Sequence, residues 1–196
     1  MGGKTSELPS FMSKPSPTGI QPYFKSRGYV PGGIVTNSKN ESLHMEALPP
    51  FLRTLLVTDG TVTKHLEAFF WEQVEVENLG QAETALDREM PWLEMRAGDA
   101  VLQRRVQLRG TESGRIYAHA ESLIRLSSLP ERLRTDLLDG RIGIGELLRE
   151  KGLETYREIL DVGKRGEERV YRTYRIVINQ HPAILITEEF PCAAYS

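Results

Sequence analysis

The chain is 196 residues long, 39% hydrophobic and 27% charged, a balance suited to one folded domain with a tail. Its 25 lysines and arginines against 27 aspartates and glutamates leave a net charge of −2, without the single-sign excess that a nucleic-acid or membrane surface demands. No stretch nears the roughly 20 apolar residues of a membrane span. The single cysteine, Cys192, excludes an internal disulfide and fits a reducing, cytoplasmic setting.

Residues 1–45 are rich in Gly, Ser, Pro, Lys and Asn and show no sustained period, so they read as a disordered N-terminal arm ahead of a domain spanning 46–196. The arm lacks the apolar core of a secretory signal; its few acids and many serines and lysines give it a faint likeness to an organelle transit peptide. The prolines at 49 and 50 open a short helix through Val57, which Thr58-Asp59-Gly60-Thr61 breaks. One more helical turn over 62–67, a strand from Phe69 to Val76, and a mixed stretch of loop with room for a short helix from Asn78 to Asp99 are expected next.

Strands follow over 101–109 and 115–126, and the glycine-bounded gap Gly110-Thr111-Glu112-Ser113-Gly114 between them signals a hairpin. Pro130 starts a helix over 131–138, stopped at Asp139-Gly140. A second helix begins near Gly145 and runs through Leu148, and 153–160 reads as a further turn or two. Strands over 169–178 and 183–190, joined across Asn179-Gln180-His181-Pro182, close the chain. Two hairpins separated by helices make an α+β fold: a single antiparallel sheet with helices packed on one face.

Four charges fall where these strands should be apolar. Same-parity residues share one face of a strand. Arg104 shares parity with Leu102, Val106 and Leu108, and Glu188 with Ile184, Ile186 and Phe190. Glu72 likewise aligns with Phe70, Val74 and Val76, and Arg172 with Val170, Tyr174, Ile176 and Ile178. A buried charge is costly unless paired, hydrogen-bonded or facing a ligand. The four therefore form either a cavity for a small anion or a self-neutralising network of core ion pairs.

Two loops would complete an anion site. Gly143 and Gly145 precede a helix, exposing backbone N–H groups at the positive end of its dipole, although the same pattern also makes an ordinary turn. Asp59-Gly60-Thr61-Val62-Thr63 is a tight turn whose backbone and hydroxyls can cap a pocket. Other chemistry lacks support. His44, His65, His119 and His181 show no metal-ligand spacing, there is no phosphate-binding glycine loop, and Cys192 has no general base nearby in sequence.

Five segments in order, Thr58-Asp59-Gly60-Thr61-Val62-Thr63-Lys64, Leu102-Gln103-Arg104-Arg105-Val106-Gln107-Leu108, Ala120-Glu121-Ser122-Leu123-Ile124, Ile142-Gly143-Ile144-Gly145 and Leu185-Ile186-Thr187-Glu188-Glu189-Phe190, resemble the chorismate pyruvate-lyase family. The likeness is closer to its actinobacterial branch than to the enterobacterial one and covers about residues 50–191. It implies helices on one side of the sheet enclosing a small buried site, and conversion of chorismate to 4-hydroxybenzoate and pyruvate without metal or cofactor. It implies that Arg104 holds the carboxylate of the aromatic product, that Glu188 contacts its 4-oxygen, and that backbone at Val62 and Ile144 completes the carboxylate site.

Chorismate carries two carboxylates, and the glycine-rich helix start or Arg172 is the candidate for the second. Desolvation of Glu188 would favour its neutral form and fit it for general acid work at the ether oxygen. The sequence departs from the enterobacterial type: Ala120-Glu121-Ser122 replaces Gly-Arg-Thr, with Glu121 expected on the outer face, and Val62 replaces a methionine. These differences leave the hydroxybenzoate isomer open. A monomer is the default, with a dimer open. The rival reading is a non-catalytic small-molecule-binding domain like the similarly folded effector domains of GntR-type regulators. Those carry a winged helix ahead of the domain, where this chain has only its non-helical arm.

Overall fold

Antiparallel pairing joins most of the chain into one six-stranded sheet, described here by a computed structural model of residues 33–139, 143–150 and 152–196. The strands in that sheet are β3 (Val74–Ala85), β4 (Ala100–Gly110), β5 (Ile116–Ile124), β6 (Thr155–Arg165), β7 (Arg169–Ile178) and β8 (His181–Pro191). They lie side by side in the order β3-β4-β5-β8-β7-β6. A small hairpin, β1 (Ile34–Thr36) and β2 (Ser42–His44), precedes them. Helices α1 (Pro50–Val57) and α2 (Val62–Phe70) come before the sheet, while α3 (Glu131–Asp139) and α4 (Ile144–Glu150) connect its two halves. The α+β architecture expected from the sequence is the one present.

The helices cover the inner face in two groups. Pro50 occupies the first turn of α1, where its missing N–H costs nothing. The 3.6-residue period then points Leu52, Leu55 and Leu56 at the sheet, each fully buried and worth roughly 1.5–3 kcal/mol over an exposed side chain. Together with Leu66 of α2 they pack on Leu108, Ala118, Val170 and Phe190. Leu133 and Leu137 of α3 and Leu147 and Leu148 of α4 pack instead on Leu102, Ile124, Ile176 and Ile184. The two buried groups are separate, with half-buried Ile159 touching both, and the gap between them is where Arg104 and Glu188 lie. On the opposite face, Leu86, Met90, Leu93 and Met95 cover one end of the sheet from an irregular segment. Among the described residues no helix is long and apolar enough to cross a membrane.

Several local expectations are corrected. Residues 34–45, assigned to the arm, pair as the β1–β2 hairpin and bury Leu43 and Met45 against edge strand β6. Asn37 closes their turn by accepting from the Lys39 and Glu41 backbone N–H groups, and Ser38 donates to Asp161. Residues 1–32 of that arm lie outside the described residues. The expected strand from Phe69 to Val76 starts only at Val74, because Val62, Leu66 and Phe70 continue a helical spacing. Phe70 stacks on Tyr117 with centroids 4.0 Å apart, and Trp71 ends the helix in the left-handed region at φ 58°. β3 itself runs to Ala85 through the stretch expected as loop; as an edge strand it carries polar residues on both faces, so the alternation fades. The turn expected at 153–160 is the start of β6, where inward Arg157 and a bulge at Leu160 mask the period.

Glu72 consequently leaves the sheet's inner face and caps the β4–β5 hairpin. Its carboxylate accepts from the Tyr117 hydroxyl, from the Ser113 N–H at 2.9 Å and hydroxyl at 2.8 Å, and from the Glu112 N–H at 3.0 Å. These bonds, Tyr117's foremost, hold its pKa at about 2 against the ordinary 4.5. A depressed carboxylate pKa contributes stability that is complete above about pH 4.5 and fades as pH falls towards 2. Glu72→Gln should therefore lower the thermal midpoint at pH 7, and the difference from wild type should close by about pH 2. A gap that persists undiminished in acid would refute this assignment.

Candidate functional site

The gap between the two helical groups is a cavity of about 500 Å³, within the size range of small-molecule sites. Its floor is two adjacent rows of the sheet. One row places Arg104 of β4 beside Ser122, Ile186 and Tyr174; the next places Glu188 of β8 between Ala120 and Arg172. Register, which no local pattern specifies, thus brings Arg104 and Glu188 to the same cavity, although 84 positions of chain separate their numbers. Both are buried, at 1% and 6% exposure, and desolvation lowers the Arg104 pKa from the ordinary arginine value.

Glu188 is not an isolated carboxyl. Arg172 donates from Nε to one oxygen at 2.7 Å, and the Tyr174 hydroxyl donates to the other at 3.0 Å. Arg172 also donates from Nη1 to the Thr58 carbonyl and lies over the Tyr174 ring, 4.8 Å from its centroid. Burial, then the negative charge of Glu188, pushes the Tyr174 pKa well above the ordinary phenol value, so the hydroxyl stays a donor. Arg172 is fully buried and does not border the cavity. It is the counter-ion of Glu188 and ties that residue to the loop between α1 and α2, while its Nη2 is buried without a hydrogen-bond partner.

The loops fall where the sequence put them. Val62 opens α2 and Ile144 opens α4, and both border the cavity with Gly143, which packs close to Val76. Residues 140–142 lie outside the described residues, so Arg141 and Ile142 of that motif carry no structural statement. His65 is absorbed by the turn before α2, its ring nitrogens meeting the Thr61 carbonyl at 2.9 Å and the Thr58 hydroxyl at 3.3 Å. Glu121 takes the outer face, opposite Arg105, as its parity predicts. Among the described residues no His, Cys, Asp or Glu cluster suits a metal ion. Half-buried Cys192 does not border the cavity.

Sequence reasoning missed two contributors. Tyr174 was visible only as a parity neighbour of Arg172; its hydroxyl on a buried strand face was the available signal, since such a group needs a partner. Arg157 was hidden by reading 153–160 as helical; as a strand residue it shares parity with Ile159 and faces inward at the mouth.

With this geometry in hand, comparison with known proteins is specific. The profile of the family described as "Chorismate pyruvate-lyase Rv2949c-like" matches residues 56–195. A chorismate pyruvate-lyase of Mycobacterium leprae is 31% identical over 173 residues, covering 80% of this chain and 81% of the relative. One from Mycobacterium tuberculosis H37Rv is 28% identical over 156 residues, covering 71% and 78%. Among solved structures, PhnF from Mycobacterium smegmatis superposes with a TM-score of 0.56 at 11% identity, over 71% of this chain and 67% of that one, a likeness of fold alone. The chain therefore belongs to the chorismate pyruvate-lyase Rv2949c-like family of lyases.

Proposed function

We propose that the chain is a chorismate pyruvate-lyase that releases pyruvate from chorismate and leaves 4-hydroxybenzoate. The observation that carries the reading is the pairing of a buried arginine with a hydrogen-bonded glutamate in one cavity, on strands of a family member. Arg104 receives the ring carboxylate through its planar fork of donors. Backbone at Val62 and Ile144 flanks it. Glu188 meets the substrate's 4-hydroxyl.

In the reaction the C4–H and C3–O bonds break. The C4–H pair becomes the ring's third double bond as the C4 proton is released. The C3–O pair leaves with enolpyruvate, which takes up one proton at its methylene carbon to become pyruvate, so the proton lost from C4 balances the one gained. The change is redox-neutral and calls for no cofactor. With Arg172 and Tyr174 both donating to it, Glu188 is arranged to accept a hydrogen bond rather than to release a proton. That revises the general-acid role. The 4-hydroxyl turns from an alcohol into a more acidic phenol as aromaticity develops, so its bond to Glu188 strengthens along the reaction. Interactions that tighten only towards the transition state are those that raise the rate.

Tyr174→Phe is then expected to lower kcat about tenfold with little change in KM, since it removes one donor from Glu188 and nothing from the carboxylate site. The primary test incubates the protein with chorismate and follows pyruvate by coupled assay and 4-hydroxybenzoate by chromatography. Equal amounts of both are expected. Pyruvate with a different hydroxybenzoate would keep the lyase and change the isomer. Binding of 4-hydroxybenzoate without turnover would favour a non-catalytic ligand-binding domain.

A further inference from the structure

We infer that Arg157 anchors the second carboxylate of the substrate, the one on the enolpyruvyl side chain, and so selects a dianionic substrate over a simple aromatic acid. The inference rests on the chorismate reading above. A dianion brings two negative charges into a cavity where Arg104 can meet one. Arg172 does not border it, its Nε and Nη1 spent on Glu188 and the Thr58 carbonyl and its Nη2 buried. Among the described residues, three cations besides Arg104 border the cavity: Lys64, Arg149 and Arg157. Lys64 is largely exposed and paired with Glu67 at 2.7 Å, and Arg149 is exposed on the short helix α4.

Arg157 is different. It is half-buried on the inner face of β6, and its Nη1 donates to the Asp59 carbonyl at 3.1 Å. That bond fixes the guanidinium against the loop between α1 and α2. On its other side is Gly145, where a β-carbon would stand 3.6 Å from Nη2. Among the described residues no carboxylate lies within ion-pair distance of it. A positioned, charge-uncompensated fork at the rim of an anion cavity is a carboxylate receptor.

The spacing fits two anchors. Arg104 and Arg157 stand on β4 and β6, four strand intervals apart, roughly 19 Å between backbones at about 4.8 Å per interval. Both side chains reach inward from opposite sides, and Glu188 lies on a strand between them. The register puts Arg157 in the row of Leu102, Arg104 in the next and Glu188 in the one beyond. A ring carboxylate at Arg104, the 4-hydroxyl at Glu188 and an enolpyruvyl carboxylate at Arg157 therefore mark the corners of a triangle on the sheet. The bond that breaks, C3–O, lies between the two anchored ends, so the pair also holds the ether in a fixed conformer.

The discriminating ligand is 4-hydroxybenzoate, which lacks the second carboxylate. Arg157→Ala should raise KM for chorismate about tenfold or more, the scale of one partly exposed charged hydrogen bond, while the Kd for 4-hydroxybenzoate by calorimetry stays within about twofold. Arg157→Lys should recover part of the loss, because it keeps the charge without the fork. An unchanged KM in the alanine variant would overturn the role of Arg157 alone. So would parallel weakening of chorismate and 4-hydroxybenzoate, which would mark Arg157 as a clamp on the α1–α2 loop. A wild-type protein that releases no pyruvate from chorismate would overturn the lyase reading and this inference with it.

Discussion

Arg104→Ala is expected to reduce kcat/KM for chorismate by about 10²- to 10³-fold and to remove measurable binding of 4-hydroxybenzoate, with the protein still folded. The size follows from the loss of charge-assisted, bidentate hydrogen bonds in a desolvated site, about 3–4 kcal/mol. Both ligands suffer because both carry the ring carboxylate, which separates this arginine from Arg157. Arg104 is 1% exposed, so a water-filled truncation cannot readily supply a replacement charge. Circular dichroism and a thermal midpoint within a few degrees of wild type would show that the loss lies in the site. Retained 4-hydroxybenzoate affinity would remove Arg104 from the carboxylate role.

Arg172→Ala is expected to cost about 3–5 kcal/mol of folding stability, the largest structural effect of any single change at the site. The reason is the partner left behind. Arg172 and Glu188 have side-chain exposures of 1% and 8% and meet at 2.7 Å, so removing the cation leaves a buried carboxylate without its counter-ion, held by the Tyr174 hydroxyl. The Thr58 carbonyl loses its donor as well. Replacing both partners by apolar residues of similar volume, Arg172→Met with Glu188→Leu, should restore much of the stability and leave no activity. Urea unfolding followed by the fluorescence of Trp71 and Trp92 measures wild type, Arg172→Ala, the single variants Arg172→Met and Glu188→Leu, and the double variant. If the double variant loses as much as the sum of the single ones, the two residues are not coupled and the ion-pair account fails.

Much of this was legible along the chain. Parity alone put Arg104 and Glu188 on inward faces, and the register confirms both, because facing is a property of alternate residues in one strand. The β4–β5 hairpin announced itself through Gly110 and Gly114, and α1 through its prolines, since turn and cap chemistry is local too. Two kinds of feature were not legible. β3 and the start of β6 are edge strands carrying polar residues on faces that a central strand would keep apolar, so their periods blur. The second kind is partnership. Glu72 and Arg172 had the same sequence signature as Arg104 and Glu188, yet one caps a hairpin and the other supports Glu188 from beneath the cavity. Which residues alternate, where helices start and that charge enters the interior are local properties, readable along the chain. Which charges neutralise each other and which border the cavity are properties of the folded sheet. Those pairings depend on register between strands far apart in the chain, and on where two helical layers fail to meet.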